Sequence, residues 1–498
     1  MNLASAFLDS TRANRSKTAV FWGNDQFTYA HFRSQSLQVA ARLRGELGVQ
    51  PGDRVGLWMN NSPEFISALF GALAAGAVVV PINCFLKAEE VAYILEDCGV
   101  KVLLSEQAMD GMLGKLSAGH PLLRIWKKET FPAADTAPAG FEPAARKRAD
   151  LAVLIYTSGT TGHPKGAMLT HGNLLHNVES CRQVLEAVAV DRFALLLPMF
   201  HSFMLTVCVL LPFIVGGSIV LVRSLQPPKA VLTEIIRHQA TILPGIPQLF
   251  RTLASAPVPP NLSLRICISG AAPLPADTMR AFDARYPIPV VEGYGLSEAS
   301  PVVSINPLRG VQKPGSIGLP IANVELTIRD EDGRELPRRQ VGELCVRGGN
   351  VMVGYWNRPE ESAAALRDGW LYTGDIGYMD EDGYTYITDR KKDMLLVNGI
   401  NVYPREIEEV MYRFPGVKEA AVIGRPDARK GEQPVAFVAL DDGQPLDTAG
   451  LLAYLKAHLA DYKVPRAVVQ LPSLPRNATG KILKTELRKL PPHSSRHA

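Results

Sequence analysis

Short β-branched runs alternate with amphipathic stretches from about residue 20 to residue 305, and this alternation restricts the fold more than any other feature of the chain. The runs RVGLWM, AVVVPI, VKVLLS, LAVLIY, GSIVLV, TILPGI, LRICISG and IPVVEGYG read as strands with helices between them. Strand, helix, strand in repetition predicts parallel sheets, whose ligands bind beyond the carboxyl ends of the strands. Between residues 314 and 388 the texture changes to short alternating runs broken by glycine turns (VELTIRDEDGREL, GELCVRGG, GYTYITDR). That pattern predicts a small antiparallel sheet or barrel. After the charged cluster DRKKD the chain reads as a compact α+β unit of about 100 residues.

At 498 residues the chain has room for about three domain-sized units. Its 47% apolar and 20% charged residues are those of a folded globular protein. A formal net charge of +4 gives no broad basic field, so nucleic acid is not an expected partner and any polyanion must be held locally. The six cysteines are scattered without a C-x-x-C pair, which predicts reduced core thiols and no zinc site or disulfide framework. The first residues lack a basic segment followed by an apolar one, so the default location is the cytoplasm.

One run tests that location. Residues 193–222 pass without a formal charge, long enough to cross a bilayer. Pro198, Pro212 and the Gly216-Gly217 pair cut the run into shorter pieces. The expectation is therefore a strand, a buried helix near 203–215 and a second strand, with peripheral membrane contact as the alternative.

The stretch YTSGTTGHPKG (residues 156–166) follows the apolar run LAVLI. Its glycines let backbone amides approach a ligand closely, and its hydroxyls and lysine add donors, so the simplest ligand is a phosphate chain. It is not the Walker loop, because Pro164 stands where that motif has glycine and Gly166 follows Lys165 in place of Ser or Thr.

Together with PMFHSF, SGAAPL, EGYGLSE, YTGDIGYMDEDGY, DRKKDMLLVNGINVYPREIEE and PRNATGKILKTELR, in that order along the chain, this stretch resembles the adenylate-forming superfamily of acyl-CoA synthetases, luciferases and peptide-synthetase adenylation domains. The resemblance implies an α/β fold class. A large N-terminal domain (1–389) would contain two parallel-type α/β sheets and a small β-barrel part near 310–388. A hinge (390–393), a smaller mobile α+β domain (394–490) and a tail (491–498) would follow. It implies a ligase that joins a carboxylic acid to AMP, releasing pyrophosphate, and then passes the acyl group to the thiol of coenzyme A.

By that resemblance, Thr157, Ser158, Gly159, Thr160, Thr161, Gly162 and Lys165 hold the departing phosphates of ATP. Gly270, Ala271, Ala272, Glu292, Gly293, Gly295 and Ile387 surround the nucleotide, with Tyr294 stacked on adenine and Ser297 at the α-phosphate. Glu298, with Thr157, holds Mg²⁺. Asp375 accepts the ribose hydroxyls, reinforced by Arg390. Lys481 is the catalytic lysine between carboxylate and α-phosphate, Lys392 the pivot, and Gly399 part of the channel for the CoA thiol. His201, Met204 and Leu205 border the acyl group. Lys484 and Lys489 read as solvated charges.

The uncharged run has no carboxylate to pair with an α-ammonium, which argues against an amino-acid substrate. An apolar slot gains about 0.8 kcal/mol per buried methylene, which favours a medium- or long-chain fatty acid. An aryl acid of the cinnamate or benzoate type remains the alternative, as does transfer to a carrier-protein phosphopantetheine in place of CoA.

Overall fold

A computed structural model describes residues 1–120, 122–134, 138, 140–157, 164–224, 228–258, 261–391, 393–398, 400–427, 431–440, 446–476 and 481–490, with only the backbone at 228–229. All eight strands read from the sequence are present, in two sheets. The six-stranded sheet runs in the order Arg124–Lys127, Val100–Ser105, Arg54–Leu57, Val78–Pro81, Leu151–Thr157, Lys165–Thr170. Its pairings are parallel except the last, where Leu151–Thr157 and Lys165–Thr170 form a hairpin in which Thr157 faces Lys165. The nine-stranded sheet is parallel through Ile242–Gly245, Ile266–Ser269 and Val290–Gly295, then turns antiparallel at Val302–Ile305.

The long uncharged segment is core. The helix Pro63–Ala74 and the helical segments between Ser202 and Val215 are apolar on nearly all sides, and one hydrophobic cluster joins them to strands of both sheets. Phe7 stacks on Phe70 at 3.9 Å, and Phe213 packs against both. Among the described residues no helix is long and apolar enough to cross a membrane. The buried helix expected near 203–215 is present, and its middle, Leu205–Leu210, is wound as a π-helix.

The glycine-punctuated region takes the sheet form of the two expected. Five strands pair antiparallel in it, and Trp370–Met379 lies against Thr385–Arg390 with Asp375 opposite Arg390. The smaller C-terminal domain carries a five-stranded sheet under the helices Pro404–Met411 and Thr448–His458. It rests on the larger one through, among others, the Arg251 guanidinium, which donates to the Lys418 carbonyl at 2.6 Å. The loop before Leu151–Thr157 is fastened to the helix Pro63–Ala74, where Ala144 donates its N–H to the Ala74 carbonyl at 2.9 Å. The tail 491–498 lies outside the described residues.

Candidate active site

A cavity opens at the carboxyl ends of Ile266–Ser269 and Val290–Gly295, where a sheet of parallel strands leaves loop backbone exposed. Gly270, Ala271, Gly293, Tyr294, Gly295, Ser297, Glu298, Thr157, His201, Asp375, Arg390 and Lys481 all line it. Residues from seven separated motifs thus meet in one place. Ala271 holds φ +67°, a conformation rare outside glycine and typical of sites that need a fixed backbone. At Gly295 a Cβ would lie 2.3 Å from the Pro301 carbonyl oxygen, so only glycine permits this close approach.

On one wall Asp375, 3% exposed, forms an ion pair with Arg390 (Nε to Oδ1, 3.0 Å) and accepts a 2.5 Å hydrogen bond from the Tyr294 hydroxyl. Burial and the adjacent carboxylate push the Tyr294 phenol far above its ordinary pKa, so it remains a donor. The strand register places the pair, since 375 and 390 are opposite one another.

On the next wall Glu298, in the turn Ser297–Ala299, accepts at one oxygen from Thr157 Oγ1 (3.3 Å) and from the Tyr355 hydroxyl (2.9 Å). Tyr355 is a site residue that no motif marks. Its partner Glu298 is 57 residues away in the chain. Lys165 does not line the cavity; its ammonium lies 5.5 Å from the Tyr355 ring centroid and 3.8 Å from Glu361. Among the described residues no cluster of three or more His, Cys, Asp or Glu side chains forms a metal cage. A single carboxylate flanked by hydroxyls suits a hard cation that keeps water and phosphate ligands, so the residues fit Mg²⁺.

Toward the apolar end His201 accepts at Nδ1 from the Phe203 N–H (3.3 Å), which puts the proton of a neutral ring on Nε2. Burial, assisted by the Lys481 ammonium, lowers its pKa to about 4, so the ring is neutral at physiological pH. Ser202 Oγ is 3.0 Å from Ser297 Oγ, tying this segment to the glutamate turn. Beyond them the cavity is lined by Phe203, Val207, Val184, Leu185, Val302 and Ile305, and among the described residues no carboxylate or cation joins these six.

Two expectations are corrected here. Met204 and Leu205 are wholly buried in the core and line neither cavity; Phe203 and Val207 take the positions expected of them, because the helix start and its π turn direct 204 and 205 toward the packed interior. Lys484 is not a solvated charge: its ammonium pairs with Glu408 at 2.8 Å, and both side chains are mostly buried (17% and 15% exposed). Lys489 is exposed and pairs with Glu486.

A second cavity between the two domains joins the first at Tyr294, Asp375 and Arg390, and adds Ala272, Ile387 and Glu292. Glu292 is 3% exposed and accepts the Leu274 N–H at 3.0 Å, which staples the loop after Ile266–Ser269 to the neighbouring strand. Burial raises its pKa from 4.5 to about 7. Between those values the native carboxyl holds a proton that the unfolded one has released, so its contribution to stability is complete below pH 4.5 and is lost as pH rises through about 7. Glutamine reproduces the neutral form. Glu292→Gln is expected to flatten the decline in thermal midpoint between pH 5 and pH 8; an unchanged decline would contradict this account.

Ser158, Gly159, Thr160, Thr161, Gly162, Lys392 and Gly399 lie outside the described residues.

The family model for AMP-binding enzymes matches residues 7–356, and that for the AMP-binding enzyme C-terminal domain matches residues 406–481. A feruloyl-CoA synthase from Amycolatopsis sp. is 39% identical over 476 residues, covering 95% of each chain. A long-chain-fatty-acid–CoA ligase from Bacillus subtilis (strain 168) is 36% identical over 526 residues, covering 97% of this chain and 94% of its own. ATP-bound MatB from Rhodopseudomonas palustris superimposes with a TM-score of 0.91 at 33% identity, covering 98% of this chain and 99% of that one. The apo form of that same protein scores 0.78. The arrangement of this chain therefore follows the ATP-bound form more closely.

Proposed function

This chain belongs to the AMP-binding enzyme family, and from that premise we propose that it activates a medium- or long-chain fatty acid as its acyl-AMP and transfers the acyl group to coenzyme A. Membership establishes the AMP-forming acyl-CoA ligase chemistry. The observation that carries the finer reading is the uncharged end of the cavity beyond His201, lined by Phe203, Val207, Val184, Leu185, Val302 and Ile305. A polar or charged acyl tail would be desolvated there without a partner.

The reacting groups are both anions, so the task is to neutralise charge and hold the carboxylate in line with the α-phosphorus. Asp375, with Arg390 and Tyr294 fixing it, orients the nucleotide through the ribose diol, for which an acceptor-only carboxylate is suited. Glu298 and Thr157 would hold Mg²⁺, which supplies neutralisation of the phosphate oxygens. Lys481 brings an ammonium to the point where carboxylate and α-phosphate meet. A carboxylate oxygen forms a bond to phosphorus as the bond to pyrophosphate breaks. In the second step the thiol releases its proton to solvent, its sulfur bonds the acyl carbon, and AMP leaves with the shared oxygen. The neutral His201 can donate from Nε2 to the acyl oxygen without adding a charge.

For this second step the C-terminal domain moves as a body about residues 390–393, withdrawing Lys481 and admitting CoA. The mostly buried Lys484–Glu408 pair lies wholly within that domain, so it travels with it unbroken.

An aryl acid is the second reading, favoured by the feruloyl-CoA synthase relative. A panel of saturated acids from about six to sixteen carbons, with cinnamates and benzoates, scored for CoA-dependent AMP release, decides between them. Highest kcat/KM on the aliphatic acids is the expected outcome. Preference for the aryl acids replaces the first reading, and release of ADP in place of AMP refutes both.

A further inference from the structure

Asp97 lies outside every motif used above, at the carboxyl end of the helix Ala88–Cys98. A carboxylate in the last turn faces the negative end of the helix dipole, an unfavourable position that needs compensation. The side chain is 8% exposed. Its two oxygens are taken by the Tyr156 hydroxyl (2.6 Å) and the Arg358 guanidinium (2.9 Å), and its backbone carbonyl accepts from Trp356 Nε1 (3.1 Å).

These partners have significant neighbours. Tyr156 directly precedes Thr157, and Trp356 directly follows Tyr355, the two residues whose hydroxyls converge on one oxygen of Glu298. Arg358 also donates to the Tyr93 hydroxyl (3.0 Å), which in turn donates to the Pro164 carbonyl (3.3 Å) beside Lys165. One carboxylate thus stands behind both donors to Glu298 and behind the strand that starts at Lys165. We propose that Asp97 is a positioning residue for the nucleotide phosphate site: through Tyr156, Arg358 and Trp356 it fixes where Thr157 and Tyr355 hold Glu298 and where the strand that carries Lys165 starts. The proposal rests on the functional reading above. It adds to that reading a determinant of ATP affinity that touches no substrate.

The test compares wild-type enzyme with Asp97→Asn and Tyr156→Phe. ATP affinity is measured by calorimetry, and KM is measured separately for ATP, acid and CoA. Asp97→Asn keeps the shape and removes the charge that holds Arg358. The expected result is a rise of about tenfold in the Kd and KM for ATP, with the other two KM values within about twofold and the thermal midpoint within about 2 °C. Tyr156→Phe acts in the same direction, and the double variant shows less than the product of the single effects because both act through one carboxylate. If Asp97→Asn does not fold, Tyr93→Phe removes one hydroxyl at the far end of the same chain of contacts and should raise the KM for ATP alone. A parallel rise in all three KM values with a lowered thermal midpoint would make Asp97 a general support and overturn the proposal. Unchanged ATP affinity would overturn it equally. Failure of the wild-type enzyme to bind ATP at all would instead strike the functional reading.

Discussion

Replacing Lys481 by alanine is expected to slow acyl-adenylate formation by about 10²–10³-fold, the usual loss when one preorganised donor to a developing charge is removed. The side chain reaches the first cavity from the C-terminal domain, and its charge is close enough to lower the pKa of His201. Its position therefore depends on the closed arrangement. Supplied with synthetic acyl-AMP and CoA, the variant should form thioester at close to the wild-type rate. Acid-dependent exchange between ATP and pyrophosphate reads the first step; product formation from acyl-AMP reads the second. Equal loss in both would place the lysine's role in folding or in domain contact, not in the adenylation step. The same variant should carry a slightly higher His201 pKa, since the neighbouring cation that lowers it is gone.

Asp375→Ala is the second large effect. Two charge-assisted hydrogen bonds to the ribose are lost, each worth about 1.5–3 kcal/mol, so kcat/KM for ATP should drop by at least about 10²-fold. Arg390 and Tyr294 also lose their partner. Because the Arg390 side chain is 41% exposed, water takes up part of the uncompensated charge, and the stability cost should be about 1–2 kcal/mol, below the range for a fully buried pair. Denaturant unfolding and ATP titration separate the two consequences. A variant that loses stability but binds ATP as before would rule out the ribose contact and leave Asp375 as a structural carboxylate only.

The strands are readable because each is a compact apolar run and parallel strands are buried on both faces; Val78–Pro81 is buried at every position. The site residues are readable where a motif marks them, as for Asp375, Tyr294 and Glu298. What escapes depends on pairing across distance. Tyr355 meets Glu298, and Asp97 meets Arg358 261 residues later, with no local pattern announcing either contact. Lys484 reads as a surface lysine because the glutamate that buries it stands on another helix of the same domain. Met204 and Leu205 point to the acyl site only by their nearness to His201 in sequence, which a change of helical pitch overrides.

That change of pitch has a consequence for how the apolar wall can vary. The π turn spans Leu205–Leu210, and Leu211 donates its N–H to the Thr206 carbonyl, five residues back. A π turn carries about one residue more than the α stretch that sweeps the same angle, so excising one amino acid there would restore the α repeat and leave Phe203 facing Leu211–Val215 much as it does now. Only the side chains between Leu205 and Leu210, Val207 among them, would be redealt around the axis. The contour of that wall is thus written in the number of amino acids between His201 and Pro212 as much as in their kinds, and a single deletion would redraw its middle while sparing both ends.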